Sequence, residues 1–179
     1  SETIRNRLAG PLRSEYVGYA ADIVAAGRHL SGLLDDLGDL EAVEAPGFTV
    51  IRQPIDLGKL AGEACGMLAA RAQAKRIELA LPADQPAVPA IGEARRVRQI
   101  LLNLIGNAIN YSPEATRIDV QAGPWRGHAV SVSIADQGPG LTREQQQRLF
   151  GKFERLGRTG DDGTGLGLYI SRRLARAMG

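Results

Sequence analysis

The sequence predicts an α+β fold: a two-layer α/β sandwich preceded by one long bundle-forming helix. Three observations predict it. Short alternating apolar runs are interleaved with segments of helical periodicity, so helices and strands share a single layered body. "TRIDVQAG" and "AVSVSIAD" are joined across "PWRG", which makes them a hairpin and therefore antiparallel. Residues 15–45 place Ile23, Leu30 and Leu37 seven apart, with Ala26, Leu33 and Leu40 filling the intermediate heptad positions.

That heptad pattern reads as one helix over 15–45. Residues 1–13 are too short to be its partner, and "AGP" ends whatever helix they hold. Its partner is expected from upstream sequence, a second copy, or both. Pro46 and Gly47 mark a turn and the domain boundary, giving a helical segment 1–45 and a second domain 46–179. "FTVIRQPID" then alternates like a short strand. Residues 57–75 read as a helix, "IELALP" and "AVPAI" as strands, and 93–111 as a second core helix. The hairpin follows. Residues 142–149 are a short helix, 150–165 a Gly- and Arg-rich loop, and 166–178 a final helix.

Composition narrows the function. Hydrophobic residues make up 44% of the 179, enough for a core, while aromatics are only 4%, too few for a nucleic-acid stacking platform. The net charge of +2 comes from bases interspersed with acids, so nucleic acid is not an expected partner. The single cysteine, Cys65, sits in a helix-like run and reads as a buried thiol. No run of 18 apolar residues spans a membrane, and the first residues lack a signal-peptide pattern. The segment is expected to be cytoplasmic with no membrane contact of its own, though the full-length protein can carry an anchor elsewhere.

Three stretches carry chemistry. In the helix that carries "NLIGNAINYSP", Val97, Ile100, Leu101, Leu104, Ile105, Ala108 and Ile109 form the core face. Gln99, Asn103 and Asn107 form a separate polar stripe, each four residues from the last. A neutral oxygen ligand on a rigid helix suits Mg²⁺, which keeps waters and shares ligands with phosphates. Equally, such asparagines can simply be solvated. In "SVSIADQGPG", Asp136 ends a strand beside Gly138 and Gly140, where a carboxylate can accept from a buried amine or merely shape a turn. In "DDGTGLGLYISRRL", Gly163, Gly165 and Gly167 alternate ahead of an amphipathic helix, an arrangement that holds anions or simply starts a helix. It is neither a Walker A loop nor a dinucleotide-binding fingerprint.

Taken in order, these stretches resemble the catalytic ATP-binding region of bacterial sensor histidine kinases, within the GHKL superfamily. "NLIGNAINYSP" resembles the N box, "DQGPG" the first glycine box, "LFGKFER" the F box and "GTGLGL" the second glycine box. The resemblance covers residues 50–179. It extends back through "GRHLSGLLDDLGDLEAVE", which is similar to the second helix of the dimerisation and phosphotransfer hairpin. It implies ATP and Mg²⁺ as cofactors, a homodimer through the hairpin, and a response regulator as partner. Asn107 would be the metal ligand and Asn103 its active-site neighbour. Asp136 would bind the adenine amino group, with Gly138 and Gly140 shaping that wall. Phe150 and Phe153 would anchor the ATP lid, and Arg155 would contact phosphate. Gly163, Gly165 and Gly167 would line the phosphates, with Thr164 and Leu166 between them. Asn110, Tyr111 and Lys152 complete the implied nucleotide set.

Superfamily members that hydrolyse ATP place a glutamate four residues before the metal asparagine. Asn103 stands there and cannot act as a general base. The resemblance thus implies transfer of the γ-phosphate to a histidine outside this segment, for relay to a response regulator. The chain departs from the family in three respects. The phosphoacceptor motif is absent, and neither His29 nor His128 has its context. Asn110 stands where a lysine is common, a loss that Lys152 or lid arginines can replace. The family usually continues with two further strands beyond "ARAMG". A pseudokinase that binds ATP without phosphotransfer is the alternative. A serine kinase of the anti-sigma type is a third reading, opposed by the heptad helix.

Overall fold

A computed structural model describes residues 14–82, 87–127, 129–154 and 164–179, with side chains omitted at 14, 15, 28 and 29. The chain opens with helix α1, Ser14–Glu44. Strand β1 (Gln53–Asp56) leads into helix α2 (Leu57–Ala74), then β2 (Glu78–Ala80) and β3 (Pro89–Gly92). Helix α3 (Ala94–Tyr111) precedes the hairpin of β4 (Arg117–Pro124) and β5 (Val130–Ala135). Helices α4 (Arg143–Arg148) and α5 (Gly167–Met178) follow.

The hairpin forms as expected, with β4 and β5 antiparallel in a register that pairs Val120 with Ile134. Strand β2 joins β4 in parallel, giving the order β2-β4-β5. Strands β1 and β3 make a separate antiparallel pair. "FTVIRQPID" is a strand only over its last four residues. Phe48 instead packs beside Leu40, Val43 and Ile170 in a second apolar cluster between α1 and α5.

The main core lies between the three-stranded sheet and two helices. Strand β4 alternates, burying Ile118, Val120 and Ala122. Helix α3 contributes Val97, Leu101, Ile105 and Ile109, and α2 contributes Leu60, Ala61, Ala64 and Cys65. Burial raises the Cys65 thiol's pKa and keeps it protonated, as expected for a structural cysteine. Asp56 joins three segments at the start of α2. One carboxylate oxygen accepts from Gly58 N (2.9 Å), Lys59 N (3.3 Å) and Val88 N (3.1 Å). Those backbone donors, Val88 first, hold its pKa below the usual carboxylate value.

Helix α1 presents two faces. Leu40 and Val43 are buried against Leu166, Ile170 and Leu174. Ile23, Leu30, Leu33 and Leu37 of the heptad pattern stay exposed. No helix among the described residues is long and apolar enough to cross a membrane.

Candidate nucleotide site

Helix α3 builds the site because its two faces do different work. Its apolar rhythm buries Ile105 and Ile109 completely, which fixes the rotation of the helix. The polar stripe is then forced away from the sheet. Gln99 Nε2 donates to Asp39 of α1. Asn103 Nδ2 donates to Ser171 Oγ of α5 at 2.9 Å. Asn110 Oδ1 accepts from Arg71 Nη2 of α2 at 2.6 Å. Asn107 is half-buried, and among the described residues its side chain has no hydrogen-bond partner.

Asn107 faces a cleft of about 960 Å³, which also collects Asn103, Tyr111, Asp136, Gly138, Gly140, Thr164, Gly165 and Gly167. Leu104, Val132, Ile134 and Ile170 supply apolar wall. Leu104 and Ile100 therefore leave the main core assigned to them by periodicity: Leu104 lines the cleft and Ile100 joins the α1–α5 cluster.

The Asp136 carboxylate is exposed at the strand end, and its Oδ1 accepts from Gly138 N at 2.7 Å. This fixes the turn and leaves the second oxygen without a partner among the described residues. A side chain on Gly138 would meet the Tyr111 carbonyl oxygen at 3.2 Å, so this turn packs on the end of α3.

The second glycine box makes two closer approaches. A Cβ on Gly167 would lie 2.3 Å from Asn103 Oδ1. A Cβ on Gly165 would lie 2.7 Å from the Phe153 carbonyl carbon and 3.0 Å from Glu154 N. These glycines let the N box, F box and second glycine box touch. Leu166 is buried in the α1–α5 cluster and takes no part in the cleft wall.

Several expected contacts lie elsewhere. Lys152 is ion-paired to Glu44 of α1 and sits 5.3 Å from the centre of the Tyr169 ring. That pairing lowers the Glu44 pKa and raises that of Lys152. Phe150 is stacked under Arg172 at 5.1 Å, and Phe153 is exposed with φ at 59°. Neither phenylalanine lines the cleft. Arg155, Gly163 and His128 lie outside the described residues, as does the His29 side chain.

The structure adds residues that the sequence did not single out. Asp36 of α1 lines the cleft and accepts from Thr164 Oγ1. Asp39 pairs with the buried Arg96 at 2.6 Å. Arg71 and Ser171 also line the cleft. Each meets its partner across many intervening residues, so no local spacing signals the contact.

The donor set fits the implied cofactors. Mg²⁺ needs few protein ligands when it shares phosphate oxygens and waters, and Asn107 offers one neutral amide oxygen. No group of three or more His, Cys, Asp or Glu able to hold a metal occurs among the described residues. The apolar walls and the Asp136 carboxylate suit a base, and the glycine segment suits phosphates.

The family model described as "Histidine kinase-, DNA gyrase B-, and HSP90-like ATPase" matches residues 92–179. The Caulobacter vibrioides Non-motile and phage-resistance protein is 35% identical over 97% of this chain and 21% of its own length. Histidine protein kinase DivJ of the same organism is 32% identical over 100% of this chain and 30% of its own length. The chain thus spans less than a third of these curated relatives. The crystal structure of full-length ShkA in complex with AMPPNP is 30% identical, with a TM-score of 0.79 over 99% of this chain and 37% of that one. The Acinetobacter baumannii histidine kinase AdeS shares the fold at 24% identity, with a TM-score of 0.71 over 98% of this chain and 83% of that one.

Proposed function

We propose, because the model of the histidine kinase-, DNA gyrase B- and HSP90-like ATPase family matches residues 92–179, that this chain is a member of that family and the catalytic core of a two-component sensor histidine kinase. It binds Mg-ATP and transfers the γ-phosphate to a histidine outside this segment, for relay to a response regulator. Residues 1–45 act as part of a dimerising phosphotransfer hairpin and 46–179 as the ATP-binding domain. The observation that carries this reading is the cleft in which Asn107, Asp136 and Gly165 converge from separate segments.

Asn107 would hold Mg²⁺, which neutralises phosphate charge when bound. Asp136 would accept from the adenine amino group. In the transfer step an imidazole nitrogen attacks the γ-phosphorus, the bond to the β,γ-bridging oxygen breaks, ADP departs, and the imidazolium loses its proton. The protein's share is positioning and charge stabilisation. The amide at position 103 supports transfer over hydrolysis. Asn103, where a hydrolase would need its base, has its amide committed to Ser171.

The test has two arms. Asn107→Ala should remove the Mg²⁺-dependent part of ATP affinity and leave the melting temperature unchanged, because only a half-buried amide is lost. The protein extended upstream should acquire acid-labile, base-stable phosphate from radiolabelled ATP. ATP binding with no such phosphate would favour a nucleotide-sensing pseudokinase. Unchanged affinity in Asn107→Ala with Mg²⁺ present would refute the metal assignment.

A further inference from the structure

We propose that Arg71 of α2 is the cation that contacts the phosphate chain of the nucleotide, replacing a charge that α3 itself does not provide. The inference rests on the Mg-ATP reading above.

Arg71 is the only cationic side chain lining the cleft among the described residues. Three carboxylates line it, from Asp36, Asp136 and Glu154. A triphosphate entering that wall adds further negative charge, and one metal ion offsets only part of it.

Nearby cations are committed to other partners. Lys152 pairs with Glu44 and lies off the cleft, so it does not replace the lysine missing at position 110. Arg148 is held by both oxygens of Glu154. Arg96 is taken up by Asp39 and Gln99. Lys75 Nζ donates to the carbonyls of Ile109 (3.0 Å) and Asn110 (2.8 Å).

The placement of Arg71 is specific. Its Nη2 donates to Asn110 Oδ1, and its Nη1 lies 3.9 Å from where a Cβ on Gly106 would be. The guanidinium therefore lies across the last turns of α3, beside Asn107. This is the carbonyl end of the helix, whose partial negative charge opposes a phosphate. A cation must be brought there from another element, and α2 brings one. Asn110 uses its acceptor oxygen to hold one arm of the fork. The remaining guanidinium N–H groups have no partner among the described residues, and a planar fork is well matched to phosphate oxygens. Asn110 and Arg71 thus act as a pair, the amide aiming a charge that it does not carry.

The competing account is that Arg71 only caps α3. Titrations of Mg-ATP and of adenosine separate the two. Arg71→Ala should weaken Mg-ATP about tenfold or more, the range for a hydrogen bond to a charged group. Adenosine, which lacks phosphates, should change by less than about twofold. Installing the charge from the other side, Arg71→Ala with Asn110→Lys, should recover most of the Mg-ATP affinity, which a lost helix cap would not. Equal losses for both ligands, or no loss for either, would overturn the proposal. Failure of the unaltered protein to bind Mg-ATP would overturn the nucleotide reading first and this inference with it.

Discussion

Replacing Gly165 by alanine tests whether the second glycine box is built for contact between motifs. Two costs apply at this position. Its φ is +72°, where a Cβ costs about 1–2 kcal/mol. The added methyl would also lie 2.7 Å from the Phe153 carbonyl carbon and 3.0 Å from both Glu154 N and Glu154 O. All three are backbone atoms, so no side-chain rotation relieves the overlap, and forced displacement costs about 1–3 kcal/mol. Gly140 is an internal control, since its φ of +69° is nearly the same and a Cβ there meets nothing within 4 Å. Both alanines stiffen the unfolded chain equally, and that offset cancels in the comparison. Gly165→Ala should therefore be less stable than Gly140→Ala by about 1–3 kcal/mol, the clash alone. With a urea slope of about 2 kcal/mol/M, the two midpoints should differ by about 0.5–1.5 M. Far-ultraviolet circular dichroism is the suitable probe, because Trp125 is 60% exposed and reports poorly on the core. Equal midpoints, with equal slopes, would show that the F box is not packed on this glycine.

Three further outcomes follow from particular side chains. As the proposed contact to the base, Asp136 would oppose the carbonyl that guanine carries where adenine has its amine, so the protein should prefer ATP over GTP by about tenfold, and Asp136→Asn should weaken ATP and flatten the preference; retention of the full preference would make Asp136 a turn residue only. Leu37→Glu, on the exposed apolar stripe of α1, should convert a dimer to monomers in sedimentation, since histidine kinases generally dimerise; an unchanged dimer would remove that stripe from the interface. The Asp56 pKa is depressed in the folded state by Val88 N, Lys59 N and Gly58 N, so its contribution is present above its unfolded value, ordinarily 3.8, and is lost as pH falls through the lower folded value. Asp56→Asn should lower the melting temperature at neutral pH, with the difference from wild type shrinking as pH falls below about 4; a difference that grows in acid would contradict the assigned hydrogen bonds.

What was legible in the sequence was local. The rhythm from Val97 to Ile109 is a property of one helix, and it located α3 and oriented its polar stripe away from the sheet. The hairpin was legible because "PWRG" separates two alternating runs, and its register follows from that short turn. "FTVIRQPID" was misleading in its first half because alternation says that a residue can be buried, not by what. Phe48 is drawn to the α1–α5 cluster, 52 positions from Ile100 and further still from Tyr169. The partners of the site residues were illegible for the same reason. Arg71 and Asn110 are 39 positions apart, and Asp36 and Thr164 are 128 apart. Lys152 was a reasonable phosphate contact by motif position. Only folding shows that α1 places Glu44 within its reach.

The polar stripe of α3 has a meaning that no single residue on it reveals. Position 99 meets α1, position 103 meets α5, and position 110 meets α2. Each of these amides is spent joining the helix to a different neighbour, and each neighbour also contributes to the cleft through Asp36, Ser171 or Arg71. A side chain that both donates and accepts suits this task, because an unpaired polar group on a partly buried face is costly and the three neighbours present both carboxylates and donors. Position 107 breaks the series, with an amide of the same type and no protein partner among the described residues. On a stripe where the other three amides are engaged, the unengaged one supports the proposal that Asn107 takes a ligand. The two asparagines four apart are therefore not equivalent. Asn103 is tied to Ser171 of α5, and Asn107 is the one proposed to meet what enters the cleft.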